Sequence, residues 1–335
     1  MATSKRFFSL VGLVGAGALA LSLAGCAGGA SSGDSGDAGS GDELTTVGFV
    51  AVGPEGGWRD ANEQAIKDAF SEEAGYDLKY APAASPTDQK SQLDAFSTFV
   101  NDEVDVILLT ATEASGWEDS LELAQEAEIP VILLDRGVDA SDDLYVTRIA
   151  PDNVKVAGSV GDWAVETYPE GANYFVLEGV PGLSVVNERN EGFDAAIEGE
   201  DGWTEIGAQT ANWTADEGKS VIETVLKENP ELQFIFAQND EMGIGAAAAV
   251  TAAGLVPGTD VKIATIDGTT PALEALAAGE LSFVAQYNPF FGDDAVAAVE
   301  SALAGESVEN PLIVESETFD SPEAGEAAIA DGKGF

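Results

Sequence analysis

Histidine is absent from the 335-residue chain. That excludes a Ser-His-Asp or Cys-His nucleophilic site and any histidine-ligated metal. Cysteine occurs once, at Cys26, so no internal disulfide can form. Basic residues are scarce: Lys and Arg total 14 against 60 Asp and Glu, a net charge of −46. Electrostatics of that sign argue against nucleic acid or an anionic membrane surface as partners. The surplus acid serves as a solvation device. Neither a GxxxxGK[ST] phosphate loop nor a GxGxxG after the first strand is present, and no cofactor or metal is expected. Carboxylates are so numerous that a glycosidase-type acid pair stays open by counting alone.

What the chain does have is enough apolar content, 45%, to build a core, and a length that suits two domains. Its front is a separate object. Lys5 and Arg6 precede an apolar stretch from Phe7 to Ala24 that ends Leu23-Ala24-Gly25-Cys26. The stretch is roughly 18 residues, borderline for a membrane span, and small residues before the cysteine favour a cleaved secretory signal over residues 1 to 25. Residues 26 to 44 are mostly Gly, Ser and Asp, a flexible tether with little to bury.

From Thr45 strand-like and helix-like segments alternate. Strands are predicted at Thr45 to Val52, Asp77 to Ala81, Val104 to Thr110, from Ile129 and at Leu144 to Ile149. Helices are predicted at Trp58 to Ala74, Thr87 to Asn101 and Trp117 to Ala127. A second series has strands at Tyr174 to Leu177, Glu205 to Gln209, Phe234 to Ala237, Lys262 to Ile266 and Ser282 to Gln286. Its helices are Ser184 to Ile197, Asp216 to Glu228, Glu241 to Gly254 and Pro271 to Ala278. The chain closes with a helix at Pro289 to Ala304 and an extended segment at Leu312 to Phe319. Such alternation implies right-handed βαβ crossovers. The fold class is α/β: two Rossmann-like lobes with parallel sheets flanked by helices, joined by a multi-strand hinge. One lobe is expected from residues 45–150 plus 288–316, the other from 151–287 plus 317–335.

IPVILLDRGVD (Ile129 to Asp139) runs four apolar residues into Asp135 and Arg136. LQFIFAQND, VKIATIDG and LSFVAQYN repeat the pattern, each a buried-type strand ending in groups that hydrogen-bond. Polar strand ends are ordinary loop beginnings, but several together point to a shared cleft, where open α/β sheets bind ligands. Asp135, Arg136, Arg189, Asn239 and Asp267 suit a polyhydroxylated neutral ligand, because sugar hydroxyls both donate and accept. Trp58 and Trp213 offer flat apolar surfaces for sugar C–H faces, although an isolated Trp is as often core.

VGFVAVGPEGGWR (Val47 to Arg59), GWE at Gly116, IPVILLDR, Asp152-Asn153 followed by Gly161-Asp162-Trp163, AQND and TIDG resemble, in this order, the type I periplasmic sugar-binding proteins of ABC importers. This is the ribose- and galactose-binding family, with its galactofuranose binders the nearest likeness. The resemblance covers nearly all of residues 45 to 290. It implies that Glu55, Trp58, Arg59, Asp135 and Arg136 contact a monosaccharide from one lobe. Arg189, Trp213, Asn239, Asp267 and Gln286 do so from the other, with hinges near Ala150, Tyr287 and Glu317. The Leu-Ala-Gly-Cys tetrapeptide is similar to a lipoprotein lipobox, which implies lipidation of Cys26 and an extracytoplasmic, membrane-anchored protein. The implied function is capture of galactofuranose, ribose or a similar aldose and delivery to a permease with its ATPase, by a monomer that is not an enzyme. Gly56 departs from the Ser of galactofuranose binders, and Gln286 is acidic in them and Gln in ribose binders. A sugar or nucleoside sensor for a receptor and an exported glycoside hydrolase are the alternatives. A repressor is excluded because the signal and tether occupy the place of its helix-turn-helix.

Overall fold

The computed structural model describes residues 44–85 and 87–335. The signal segment, Cys26 and nearly all of the tether lie outside the described residues. Among the described residues no helix is long and apolar enough to cross a membrane.

Two six-stranded sheets carry the molecule. The first contains β1 (Thr45–Ala51), β2 (Tyr76–Pro82), β3 (Val106–Leu109), β4 (Val131–Leu134), β5 (Thr147–Ala150) and β11 (Leu312–Ile313), in the order β11-β5-β4-β3-β1-β2, all parallel. The second contains β6 (Asn173–Glu178), β7 (Thr204–Thr210), β8 (Phe234–Ala237), β9 (Lys262–Asp267), β10 (Phe283–Gln286) and β12 (Thr318–Phe319), in the order β12-β10-β9-β8-β6-β7. Only its edge pair, β10 with β12, is antiparallel. Strands β3, β4, β8 and β10 are buried at every position, as continuous apolar runs require when helices cover both faces. Both sheets have the same doubly wound order, so each places a switch point, where binding crevices open, between its first and third strands.

The helices begin where side chains supply the missing acceptors. In α2 (Gln89–Asn101) Asp88 accepts from the Ser91 N–H, and in α4 (Asn153–Thr167) Asp152 accepts from that of Lys155. This sets the start of α2 two residues after the predicted Thr87. Helix α1 (Gly57–Ala69) stops at Phe70, and a separate 3-10 turn, Glu72–Ala74, is closed by left-handed Gly75. What the sequence presents as one helix to Ala74 is therefore two pieces. Helix α9 (Gly292–Leu303) starts three residues later than predicted, and the expected strand from Leu144 begins only at Thr147, after a 3-10 turn at Asp142–Leu144. The extended tail divides into β11 and β12, one in each sheet, and a final helix, α10 (Pro322–Ala330), follows that the sequence reading did not include.

The chain passes between sheets three times: after β5, after β10, and between β11 and β12. A continuous apolar cluster follows it, from Phe49 and Ile132 in the first sheet through Trp58, Tyr287 and Phe291 to Phe234 and Phe283 in the second.

Candidate functional site

The carboxyl ends of both sheets face one cavity of about 400 Å³, part of it open to solvent. From the first sheet, the β1–α1 loop and the start of α1 supply Glu55, Trp58 and Arg59, and the end of β4 supplies Asp135 and Arg136. Arg59 donates from Nη2 to Asp135, and Arg136 donates from Nη2 to Glu55 and from Nη1 to the Ala111 carbonyl at 3.2 Å. Both arginines are about 3% exposed, as is Asp135. Burial opposes ionisation of Asp135, but the guanidiniums of Arg59 and Arg136 win and hold its carboxyl below the usual carboxylate range. Asp135 has φ +64, a conformation an L-residue holds only when its surroundings impose it, at about 1–3 kcal/mol.

From the second sheet come Arg189 on α5 (Ser184–Ile197), Trp213 after β7, Asn239 after β8 and Asp267 at the end of β9. Trp213 and Asp267 also have positive φ, +64 and +139, so three lining residues share strained backbone. Arg189 Nη2 lies 3.8 Å from Asp267 Oδ1. Burial pushes the Asp267 carboxyl well above its ordinary value, and Arg189 offsets this only partly. The benzo edge of Trp213 rests on Gly179, where a Cβ would stand 1.9 Å from the ring. Asn239 caps α7 (Asp240–Ala252), its Oδ1 accepting from the Met242 N–H at 3.0 Å.

A relay of hydrogen bonds joins the lobes beneath the cavity. The Tyr287 hydroxyl donates to Asp135 Oδ1 at 3.0 Å and accepts from Asn153 Nδ2 at 3.1 Å, while Arg189 Nε donates to Asn153 Oδ1 at 2.9 Å. Arg148 donates from Nε to the Asp135 carbonyl and grips Glu188 of α5 with both terminal nitrogens, at 2.6 and 2.9 Å. Trp58 donates its indole N–H to the Tyr287 carbonyl, and their rings lie 5.1 Å apart. Further out, Gly137 N–H donates to Ser184 Oγ, and Gly57 N–H to Glu241 Oε1, each at 3.0 Å. The two sheets are thus held against each other with the cavity between them.

Nine of the ten residues singled out from sequence converge here. Gln286 does not. It lies outside the lining, its Oε1 accepting from the Glu317 N–H at 3.3 Å in the crossover strands. Successive residues of an extended chain face opposite ways, so the following residue, Tyr287, lines the cavity instead. Sequence reasoning placed Tyr287 at a hinge only, and it passed over Val185 and Glu241, which also line the site. Glu241 had a legible signal, a second acid two residues after Asn239 in AQNDE. Val185 had none beyond its place in a helix.

Two doubly wound lobes joined by three crossovers, with charged planar side chains facing one cavity between them, define a cleft-binding protein for small solutes. The chain belongs to the periplasmic binding protein domain family, which matches residues 47–307. The family works outside the cytoplasm, and it and the relatives below are binding proteins. A fructose import binding protein of Bifidobacterium longum (strain NCC 2705) is 48% identical over 331 residues, covering 96% of this chain and 97% of that protein. A galactofuranose-binding protein of Escherichia coli (strain K12) is 34% identical, covering 86% and 91%. A crystal structure from Mycobacterium smegmatis in complex with β-D-fucofuranose superposes with a TM-score of 0.82 at 37% identity, covering 87% of this chain and 95% of that one. The resemblance read from the sequence motifs, the fold class and the assignment to sugar-binding proteins of importers agree with these relatives.

Proposed function

We propose that the protein captures one uncharged monosaccharide in its furanose form, with fructose and galactofuranose the first candidates, and delivers it to the permease of an ABC importer. The observation that carries this is a set of buried donors on lining residues, Arg59 Nε, Arg136 Nε and Trp213 Nε1, that make no hydrogen bond within the protein, the nearest carboxylates standing 3.7 and 3.8 Å from the two arginine nitrogens. A buried N–H without an acceptor costs about 1–3 kcal/mol, and sugar oxygens would satisfy all three. The lining carries acids and arginines together, which suits hydroxyls better than a phosphate or carboxylate. Glu55, Trp58, Arg59, Asp135, Arg136, Arg189, Trp213, Asn239 and Asp267 are the proposed contacts, joined by Tyr287. Furanose-bound and galactofuranose-binding relatives favour the five-membered ring, and the fructose-binding relative extends the range from aldoses to a ketose. Residues 45–150 plus 288–316 and 151–287 plus 317–335 move as the two lobes, and lipidation of Cys26 would tether the protein near its permease.

Calorimetry with fructose, ribose, arabinose and a galactofuranoside tests this. A furanose-forming sugar is expected to bind one per chain with a micromolar or tighter constant, about −8 kcal/mol. Arg136→Ala, which also takes from Glu55 its hydrogen-bonded arginine and leaves it only Arg59 at 3.7 Å, is expected to weaken binding at least about a hundredfold, roughly 3 kcal/mol. Failure of every neutral sugar, or tighter binding of a uronate or sugar phosphate, would overturn the reading.

A further inference from the structure

We infer that Glu241 is the positioning residue that couples closure of the cleft to seating of the sugar. The inference rests on the sugar-capture reading above and concerns how that site is held shut.

Helix α1 begins without a side-chain cap of its own: its N-cap residue, Gly56, has nothing to offer. The first free N–H, that of Gly57, donates instead to Glu241 Oε1 at 3.0 Å, from a helix 184 residues further along the chain. Glu241 lies in the first turn of α7. In this arrangement one carboxylate stands at the positive ends of two helices, one from each lobe, and both favour its negative charge. An opening of the lobes would return the α1 terminus to water and leave the carboxylate with α7 alone. The cap is therefore completed only by closure.

The other carboxylate oxygen reports on the sugar. Glu241 Oε2 accepts from Asn239 Nδ2 at 2.7 Å, and Asn239 lines the cavity. On the far side of the contact, Gly57 precedes Trp58 and Arg59, which line it from the first lobe. A single side chain thus orients one contact residue directly and fixes the loop that carries two more. Glu241 also borders a second, outer hollow, with Pro54, Val180 and Asn212, so it stands at the boundary between the sugar cavity and the cleft mouth. Room for it is specific. Gly56 has φ +101, and a Cβ there would come within 2.9 Å of Glu241 Oε1, so a side chain at position 56 would crowd the carboxylate as well as strain the backbone.

The test is the kinetics of sugar release, followed by stopped-flow fluorescence, in Glu241→Ala and Glu241→Gln. In Glu241→Ala, release is expected to accelerate about 10- to 100-fold, the range for losing charge-assisted hydrogen bonds, while association changes less than about threefold. The rise in melting temperature that saturating sugar gives should be smaller in Glu241→Ala than in the wild type, and by more than any difference between the ligand-free proteins, which separates a closure role from a merely structural one. Glu241→Gln should fall between, because an amide accepts at one oxygen but turns an N–H toward the other donor. Wild-type release rates in Glu241→Ala overturn the inference. If the wild-type protein bound none of the sugars, the capture reading would fail by itself. The coupling would then be judged on distances between nitroxides at Lys90→Cys and Lys219→Cys, in a Cys26→Ser background without ligand. Longer distances in Glu241→Ala support it, and superimposable distributions sink it.

Discussion

At the scale of single residues, the cleft contains carboxylates with opposite behaviour. Asp135 is held ionised by two arginines, whereas burial raises Asp267 and Asp240. Asp240 opens α7 and crosslinks it to the loop after β9. Its carboxylate accepts from the Thr265 hydroxyl at 2.6 Å, from the N–H groups of Gly268 and Thr269 at 2.9 and 2.7 Å, and from the Thr269 hydroxyl at 2.8 Å. That loop follows Asp267 directly, so Asp240 sets where a proposed sugar contact stands. Burial pushes its carboxyl up to about 7 against the pull of these hydrogen bonds. In the unfolded chain the same group titrates near 3.9. Between pH of about 4 and 7 the folded protein therefore keeps a proton that the unfolded chain has released, and its contribution to stability declines as pH rises through that window. Asp240→Asn mimics the protonated form and should flatten that part of the dependence. Melting temperatures from pH 4.5 to 7.5, about half a unit apart, check this: parallel wild-type and variant curves would show the carboxyl ionised throughout.

Between elements, the site depends on helices that approach more closely than side chains normally allow. Gly192 of α5 packs on α4 so tightly that a Cβ would lie 2.1 Å from the Val154 carbonyl oxygen. Neither backbone can yield cheaply. These helices carry Arg189 and Asn153, which bond to each other at 2.9 Å beneath the cavity. Gly192→Ala is expected to cost about 1–3 kcal/mol of stability, seen as a lower urea midpoint, and to weaken sugar binding through the shifted Arg189. Unaltered stability would mean that the helices part without penalty. The existence and order of most elements were legible because apolar runs of 4 to 6 residues alternated with helical spacing. Their ends were less so. The starts of α2 and α9 and the break after α1 are set by caps and left-handed residues, and the two short strands of the tail exist only because each finds a sheet edge to pair with.

For the whole molecule, charge is segregated. All four arginines of the described residues, Arg59, Arg136, Arg148 and Arg189, take part in the cleft network, so elsewhere among the described residues the excess acid of a chain with net charge −46 is opposed by lysines alone. Self-repulsion on that scale destabilises the compact state, and salt screens it. Raising NaCl from about 10 mM to about 500 mM, where the Debye length falls from about 30 Å to a few ångströms, should raise the melting temperature. Affinity for a neutral sugar should move less than about twofold over the same range. A steep loss of affinity with salt would instead indicate a charged ligand.

The sequence by itself determined the α/β class, the two successive lobes and, at the strand ends, Asp135, Arg136, Asn239 and Asp267, because hydrophobic period and the polar groups that end each run are local properties; Glu55 and Arg59 were implied only by the family resemblance. Tertiary structure alone decided that Tyr287 rather than Gln286 faces the cavity, that Glu241 reaches across to Gly57, and that Arg148 grips Glu188. Those contacts join residues far apart in the chain, and their geometry follows from how two sheets are set against each other, which no local pattern encodes.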